Sequence, residues 1–470
     1  MIPTAALDTL RSVLGDRLSV SKPDLEQHGQ SESHYAPAPP DAVAFPETTA
    51  EVSALVRICA ARRIPVIGWG TGTSLEGHSL AVHGGLCVDF GRMNKVLAIN
   101  AGDMDAVVQP GLTREELDAE LRASGLFFPV DPGANASLGG MASTRASGTT
   151  TVRYGTVRDN IRALEVVLPD GRIVRTGSRA RKTSAGYDLT GLFVGAEGTL
   201  GLITELTLRL HGRPESIAAA ACAFGSVGAA VDATIETIQS GIPMARIELA
   251  DAVTVRSFNA HAGADMAEKP HLMVEFHGSD QSVREDAERF GAIVADHGGS
   301  GFEWSARPED RARLWRMRHN AYYAALALRK GATALTTDIC VPISRLAEAI
   351  EETRRDIDAS PLVGPIVGHV GDGNFHTLLL VEPGNECEMR IAGELSARMA
   401  ERALRLGGTV SGEHGVGIGK RGYMRAEHGG GWDVMGEIKR ALDPAGIMNP
   451  GKLVPDGPGV AGDAEGGAGG

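Results

Sequence analysis

The chain has 470 residues, of which 43% are hydrophobic and 22% charged, and its formal net charge is -13. Its length exceeds that of one ordinary core, so we expect two or three globular domains. The acidic charge argues against nucleic acid as a partner, because binding to phosphates requires a basic face. The five cysteines form no CxxC pair, which argues against iron–sulfur and zinc-ribbon sites.

The first 35 residues are predicted to form an N-terminal helical segment. Residues 1–20 have the pattern of an amphipathic helix and resemble neither a signal peptide nor a transit peptide. No stretch approaches the ~20 apolar residues that a membrane helix needs. We therefore expect a protein without a transmembrane segment, located in the cytoplasm or peripherally at the membrane.

Residues 36–214 read as an α+β domain with short strands and glycine-rich connections. Start signals at 46–49 precede a helix with apolar residues at helical spacing up to residue 63. The predicted strands are residues 42–45, 64–67, 85–90, 106–109, 163–168 and 201–210.

Three glycine-rich loops lie in this domain, at residues 69–78, 131–140 and 195–201. The first follows a strand, so its backbone N–H groups could cradle a pyrophosphate. It does not match GxGxxG, and no helical period follows it, which disfavours a Rossmann fold. One such loop means little, but three in one domain point to an extended dinucleotide.

From residue 215 the pattern changes to alternating strands and helices, which suits a sheet covered by helices on one face. A last helix over 432–442 is stopped by a proline, and the Gly- and Asp-rich tail, residues 456–470, is predicted to be disordered. Between residue 215 and this last helix, the predicted strands and helices are residues 219–224, 227–239, 246–249, 271–278, 315–330, 346–356, 366–369 and 386–406.

The string HVGDGNFH places two histidines, His369 and His376, around a preferred hairpin turn, Asp372-Gly373. With that turn at the tip, the two histidines are directly opposed. Opposed residues share a face with Cβ atoms ~5 Å apart, a distance at which two imidazoles can hold one cation. A plain hairpin with incidental histidines is the alternative.

The string SGEHGVG places Glu413 and His414 between glycines, which is typical of a loop that leaves space for a ligand. Two histidines and one carboxylate would complete a three-ligand site for a divalent metal, zinc or manganese, with a position open for substrate. His414 would then be available as a general base. Further upstream, Arg318 shares a helical face with aromatic residues and could hold a carboxylate, unless this is a solvated amphipathic helix.

Taken together, these strings resemble the FAD-linked oxidases that bind flavin in a non-Rossmann domain of the vanillyl-alcohol oxidase (PCMH) type. Within them the chain is similar to the D-lactate dehydrogenase and D-2-hydroxy-acid dehydrogenase branch. The resemblance rests on GTGTSLEGH, DPGANASLGGMASTRASGT, VGAEGTLGLIT, HVGDGNFH, SGEHGVG and the closing NPGK. It implies an FAD-binding domain at 36–214, an α+β substrate domain with an antiparallel sheet and the metal site at 215–430, and a C-terminal segment at 431–455 that returns to the FAD domain.

The resemblance also implies which residues line the non-covalently bound FAD. Most belong to the glycine-rich loops, with Asn449 closing the pocket. They are Gly70, Thr71, Gly72, Thr73, Ser74, Pro132, Gly133, Gly139, Gly140, Ser143, Ser147, Gly148, Thr149, Glu197, Gly198, Gly201, Ile203 and Asn449.

The implied activity is oxidation of a small D-2-hydroxy acid, with D-lactate to pyruvate as the first choice and glycolate or D-2-hydroxyglutarate as alternatives. Arg318 and His414 would be the catalytic residues. A quinone, a cytochrome or an electron-transfer flavoprotein would accept the electrons, and a homodimer is an option. A different flavin-dependent oxidation, or a flavin-binding subunit that needs partner chains, would be the competing interpretations.

Overall fold

A computed structural model describes residues 1–455, and their contacts divide the chain into two compact units. The first unit comprises residues 1–147, 156–212 and, within the described chain, 413–455. The second comprises residues 148–155 and 213–412. The tail predicted to be disordered lies outside the described residues. The chain therefore leaves the first unit twice and returns to it at Thr156 and at Glu413.

Two main sheets form the first unit. In the four-stranded sheet the last three strands are parallel, and the order is Leu18–Ser19, Ala42–Ala44, Leu86–Asp89 and Val66–Trp69. The five-stranded sheet is antiparallel, in the order Val96–Asn100, Asp105–Val108, Leu202–Arg209, Ile161–Val167 and Ile173–Gly177. Two short strands, Leu126–Phe127 and His211–Gly212, form a separate pair.

The helix Thr49–Arg62 shows how local sequence sets an element of this unit. The Thr48 side chain accepts a hydrogen bond from the N–H of Glu51 and so caps the helix. The apolar residues at helical spacing, from Val52 to Cys59, are buried, as their pattern predicts. The other helices of the unit are Thr4–Leu14, Lys22–His28, Arg114–Glu120, Leu138–Thr144, Leu189–Phe193, Met424–His428 and Gly430–Leu442.

The N-terminal helix is shorter than its amphipathic pattern predicts. It ends at Leu14, where Gly15 takes a positive φ of 59° that favours glycine. A second helix starts after Ser21, whose side chain accepts from the N–H of Asp24. The segment is thus two short helices, with a 3-10 turn over Gly15–Arg17 and the strand Leu18–Ser19 between them.

The second unit is built on one eight-stranded antiparallel sheet. Its order is Ser300–Ser305, Ser216–Ala223, His271–Gly278, Met244–Ala250, Ile366–His369, Asn374–Val381 and Thr333–Thr336, with Ile339–Cys340 also paired to Asn374–Val381. One face forms the main hydrophobic core of the unit. The helices that pack on this face are Val227–Gln239, Asp280–Asp296, Leu346–Asp358 and Glu386–Arg405.

Helices also cover part of the opposite face, so the expectation of helices on one face only is wrong. Ala250, Met273 and Val367 point to that side and pack against residues of Ala252–Ala262, Pro308–His319 and Ala321–Ala327. These helices bury apolar side chains that would be exposed if helices covered only one face of the sheet. A short helix, Thr151–Tyr154, also belongs to this unit.

The helical run predicted over residues 315–330 is interrupted. One helix ends at His319, Asn320 adopts φ -86° and ψ 12°, and the next helix starts at Ala321. Asn competes with helix geometry because its short polar side chain bonds nearby backbone groups.

Within residues 1–455, none of the helices combines the length and the apolar character needed to cross a membrane.

Candidate active site

The histidine hairpin forms, but its register differs from the predicted one. His369 pairs with Asn374 and Val367 pairs with His376, so the connection has four residues instead of two. The shift moves the partner of each histidine by two residues, and strand side chains repeat with a period of two. The two histidines therefore still share one face as diagonal neighbours. Their ring centroids lie 5.5 Å apart, with an angle of 80° between the planes.

The tight connection depends on Gly373, which has a φ of 78°. A Cβ there would stand 2.0 Å from the carbonyl oxygen of Val341. The N–H of Val341 in turn donates to the carbonyl of Gly373. Because the segment after the strand Ile339–Cys340 packs directly against the hairpin tip, the tip has room for glycine only.

A buried carboxylate that the sequence analysis missed lies beside His369. Glu248, on the strand Met244–Ala250, contacts His369 Nδ1 through Oε1 at 2.7 Å. Its Oε2 accepts from Arg318 Nε at 3.0 Å and lies 2.7 Å from Nη2. All three side chains are buried. Arg318, which was predicted to hold a substrate carboxylate, is thus paired with a carboxylate of the protein.

The signal for Glu248 was present in its strand. Met244–Ala250 is buried at nearly every position, and Glu248 is 0% exposed. A carboxylate in such a run is costly unless it is paired, so it indicates a partner from another element.

His376 is held by a second set of polar groups. Its Nδ1 lies 3.0 Å from the carbonyl oxygen of Thr337 and 3.7 Å from Asp338 Oδ1. Asn374 Nδ2 donates to the same Asp338 oxygen at 2.8 Å. Nδ1 of each histidine faces an acceptor, an arrangement that favours the tautomer with its lone pair on Nε2, the form in which a histidine can bind a cation.

The chain leading to Glu413 is tied to the same end of this unit. Ser411 donates to Asp338 Oδ2 at 3.0 Å. A Cβ on Gly412 would stand 2.1 Å from Asn374 Nδ2, so glycine is needed for the close approach. Glu413 is the next residue along the chain, one Cα–Cα step of ~3.8 Å beyond.

In the first unit, Glu197, which was predicted to line FAD, contacts the loop that carries Glu413 and His414. Both oxygens of Glu197 accept from this loop, at 2.7 Å from the N–H of Val416 and 2.9 Å from the N–H of Gly417. His78 Nε2 lies 3.2 Å from Glu197 Oε1.

The carboxylate of Glu197 therefore holds a protein loop, and Ser147 Oγ donates to Glu413 Oε2 of that loop at 2.7 Å. Burial raises the pKa of Glu197, but His78 and the N–H groups of Val416 and Gly417 lower it, and the balance lies below its usual value. The side chain is accordingly held as an anion.

The glycine-rich loops converge inside the first unit. A Cβ on Gly70 of the first loop would stand 2.1 Å from Ser137 Oγ of the second. The N–H of Glu197 in the third loop donates to the carbonyl of Ser143 at 2.9 Å. Asn449 joins the first and third loops, donating to the carbonyl oxygens of His78 and Glu197 at 3.0 and 2.7 Å.

The predicted FAD-lining residues differ in what their backbone can offer to a ligand. Among the described residues, no hydrogen-bond acceptor is found for the N–H groups of Thr71, Gly72 and Thr73, which suits a phosphate cradle. By contrast, the N–H of Gly139 donates to Pro110 and that of Gly140 to Ser137.

The remaining predicted residues fall into three groups by place. Gly133 borders open space, and Gly201 packs against the strand Ile161–Val167. Gly148 and Thr149 belong to the second unit, whereas the other predicted lining residues belong to the first. The third group, Ser74, Pro132, Gly198 and Ile203, lies in the first unit, where Ile203 is buried on the strand Leu202–Arg209.

These features define the class of protein. Residues 40–177 match the family described as FAD binding domain, and residues 213–453 match FAD linked oxidases, C-terminal domain. The chain belongs to the FAD-linked oxidase family and carries its FAD-binding domain.

Among curated relatives, the chain is 50% identical over 460 residues to "Probable D-lactate dehydrogenase, mitochondrial" of Danio rerio, covering 96% of this chain and 93% of that protein. It is 44% identical over 457 residues to "D-lactate dehydrogenase [cytochrome], mitochondrial" of Arabidopsis thaliana, covering 97% and 81%. The crystal structure of p-cresol methylhydroxylase with substrate bound matches with a TM-score of 0.80 at 18% identity, over 95% of this chain and 96% of that one. The predicted vanillyl-alcohol oxidase type of flavin fold and the α+β class are thereby confirmed.

Proposed function

We propose that the chain is an FAD-dependent dehydrogenase that oxidises D-lactate to pyruvate. The observation that carries this proposal is the pair His369 and His376, whose rings share one sheet face with both Nδ1 atoms held. Such a pair suits a cation that binds a 2-hydroxy acid. The high identity to D-lactate dehydrogenases supports the choice of substrate.

We further propose that FAD binds non-covalently along the converging glycine-rich loops. The backbone donors of Thr71, Gly72 and Thr73 would hold its pyrophosphate. Asn449 would close the pocket, since its side chain ties the first and third loops together. When bound, FAD supplies an acceptor for the hydride that leaves C2 of the substrate.

We propose that His369, His376 and Glu413 hold a divalent metal, zinc or manganese. Two imidazoles and a carboxylate suit either ion. The described residues fit this role because both histidines present Nε2, and because Ser411 and Gly412 tie the chain just before Glu413 to Asp338 and Asn374. A bound metal would act as a Lewis acid on the substrate hydroxyl.

In this mechanism His414 acts as the general base. An imidazole nitrogen removes the C2 hydroxyl proton while the C2 hydride leaves with its electron pair, so that the product is a 2-keto acid. General-base assistance of this kind contributes about 10²–10⁴-fold. Glu197 keeps the loop of His414 in place through the N–H groups of Val416 and Gly417.

A cytochrome is the electron acceptor that we propose, because one of the relatives carries that word in its name. Quinones and electron-transfer flavoproteins remain to be compared. The predicted homodimer and the predicted cytoplasmic location stay predictions, and the names of the relatives place those proteins in mitochondria.

The test is anaerobic reduction of the protein-bound flavin by D-lactate, L-lactate, glycolate and D-2-hydroxyglutarate, followed by absorbance. We expect D-lactate to bleach the flavin fastest. Treatment with a chelator should remove this reactivity while the flavin stays bound, and added Mn²⁺ or Zn²⁺ should restore it. Equal rates with L-lactate, or full activity after metal removal, would contradict the proposal.

A further inference from the structure

The polar face of the second unit contains a carboxylate that the proposed mechanism does not yet use. Glu248 lies on the strand Met244–Ala250 and is 0% exposed. Its strand neighbours Ile247 and Leu249 face the opposite side, in the main hydrophobic core. A buried carboxylate costs several kcal/mol unless it is paired with good geometry. The groups that pair with Glu248 therefore indicate its role in the protein.

The two oxygens of Glu248 face two different cationic or donor groups. Oε1 is 2.7 Å from His369 Nδ1, and Oε2 is 2.7 Å from Arg318 Nη2 and 3.0 Å from Arg318 Nε. Arg318 thus offers one edge of its guanidinium to the oxygen that His369 does not use. The arrangement is a chain from the arginine through the carboxylate to the imidazole.

We propose that Glu248 and Arg318 are a positioning pair for His369, and that they set the tautomer in which it binds a cation. The carboxylate accepts a hydrogen bond from the Nδ1–H group, which leaves the lone pair on Nε2 and fixes the plane of the ring. Arg318 holds the carboxylate in this orientation through Nε and Nη2. This inference rests on the proposed function.

The histidine pair is held asymmetrically. His376 Nδ1 faces the neutral carbonyl of Thr337 at 3.0 Å, whereas His369 Nδ1 faces a carboxylate. Hydrogen bonds in which one partner is charged are roughly twice as strong as neutral ones. Of the two histidines, His369 is therefore the one whose orientation depends more on a single side chain, that of Glu248.

Glu248→Gln tests this directly. A glutamine has one oxygen, and Arg318, which can only donate, will face it. The amide NH₂ is then turned toward His369 Nδ1, which must accept, so the ring proton moves to Nε2. That tautomer has no lone pair for a cation at Nε2.

The chain offers a matched control in Glu275→Gln. Glu275 is also buried, lies on the neighbouring strand His271–Gly278, and pairs with both an arginine and a histidine. Its Oε1 is 3.4 Å from Arg246 Nη1 and 2.7 Å from His277 Nε2. The control therefore removes a similar buried charge without touching His369.

The first measurement is titration of metal-free, FAD-loaded protein with Co²⁺, followed by its visible absorption. We expect Glu248→Gln to raise the Kd for Co²⁺ about 10–100-fold, the range for lost partners of metal-binding histidines, and Glu275→Gln to change it less than about threefold. Equal affinity of Glu248→Gln and the native protein would overturn the inference. So would equal losses in both variants, since the effect would then reflect any lost buried charge.

The second measurement is made on the native protein and needs no metal. The ¹⁵N chemical shifts of the His369 ring in the native, metal-free protein report its tautomer, with the signal assigned by its loss in His369→Gln. We expect a proton on Nδ1, and a proton on Nε2 would overturn the inference. Failure of the native protein to bind Co²⁺ would instead refute the proposed metal centre, and the tautomer would still decide the role of Glu248.

Discussion

Replacing Glu197 by glutamine tests whether one buried carboxylate holds the loop that carries His414. In the native protein its two oxygens accept from the N–H groups of Val416 and Gly417 at 2.7 and 2.9 Å. Glutamine keeps one oxygen, so one of these N–H groups loses its acceptor and faces another donor. A hydrogen bond to a charged group contributes about 1.5–3 kcal/mol, and we expect the free energy of unfolding to fall by about that amount.

The assay has three readouts on Glu197→Gln. Denaturant unfolding gives the stability, hydrogen exchange of a peptide spanning residues 413–417 gives the local order, and flavin reduction by D-lactate gives the rate. We expect faster exchange and a lower kcat while FAD is retained. Glu205→Gln is the control, because Glu205 lies on the strand Leu202–Arg209 of the same unit and its side chain is more exposed. Unchanged exchange over 413–417 in Glu197→Gln would refute the reasoning.

The pH dependence of the same variant has a defined sign. The pKa of Glu197 in the folded protein lies below the usual 4.5, since His78 and the loop N–H groups outweigh burial, which raises it. A group with a lowered folded pKa stabilises above the unfolded value, and this contribution is lost as the pH falls through the folded pKa. The stability difference between the native protein and Glu197→Gln should therefore be full above about pH 4.5 and shrink in more acid solution.

Three further predictions concern other parts of the protein. His414→Ala should lower the rate of flavin reduction by about 10²–10⁴-fold with the flavin spectrum intact, and full turnover would remove it from the mechanism. Gly373→Ala should lower the free energy of unfolding, measured with denaturant, by more than about 2 kcal/mol. The reason is that alanine is strained at positive φ and that its Cβ would meet the Val341 carbonyl. A smaller loss of stability would show that the hairpin rearranges. In the folded protein, burial lowers the pKa of His28, but the Asp89 carboxylate raises it by more, so the net pKa lies above the usual 6.5. The contribution of His28 to the stability of the fold is therefore present below pH 6.5 and is lost as the pH rises through the folded pKa. Thermal unfolding of His28→Gln should show a flatter decline between neutral and alkaline pH than the native protein, and equal slopes would contradict this.

Local patterns were sufficient for much of the fold. The helix Val227–Gln239 and the strands His271–Gly278 and Ile366–His369 have the bounds that their sequence periods predict. Errors arose where a local signal had a competitor. The helix predicted through residue 330 breaks at Asn320, and Gly15 ends the N-terminal helix early.

The histidine hairpin shows which features the sequence alone determines and which depend on tertiary packing. The sequence alone established that His369 and His376 flank a turn and that Glu413 and His414 lie between glycines. The register of the hairpin was decided by tertiary packing, since the carbonyl of Val341 occupies the space beside Gly373. The two histidines still share one face because a shift of two residues preserves the face of a strand.

Partners from distant segments were beyond any local pattern. Glu248 and His369 are 121 residues apart, and Glu197 and Val416 are 219 apart. Charged residues far apart in sequence carry no periodicity that links them, and burial alone decides which of them must find a partner. Chemical type and spacing thus predicted the candidate site residues, whereas folding decided which carboxylates pair with their segments.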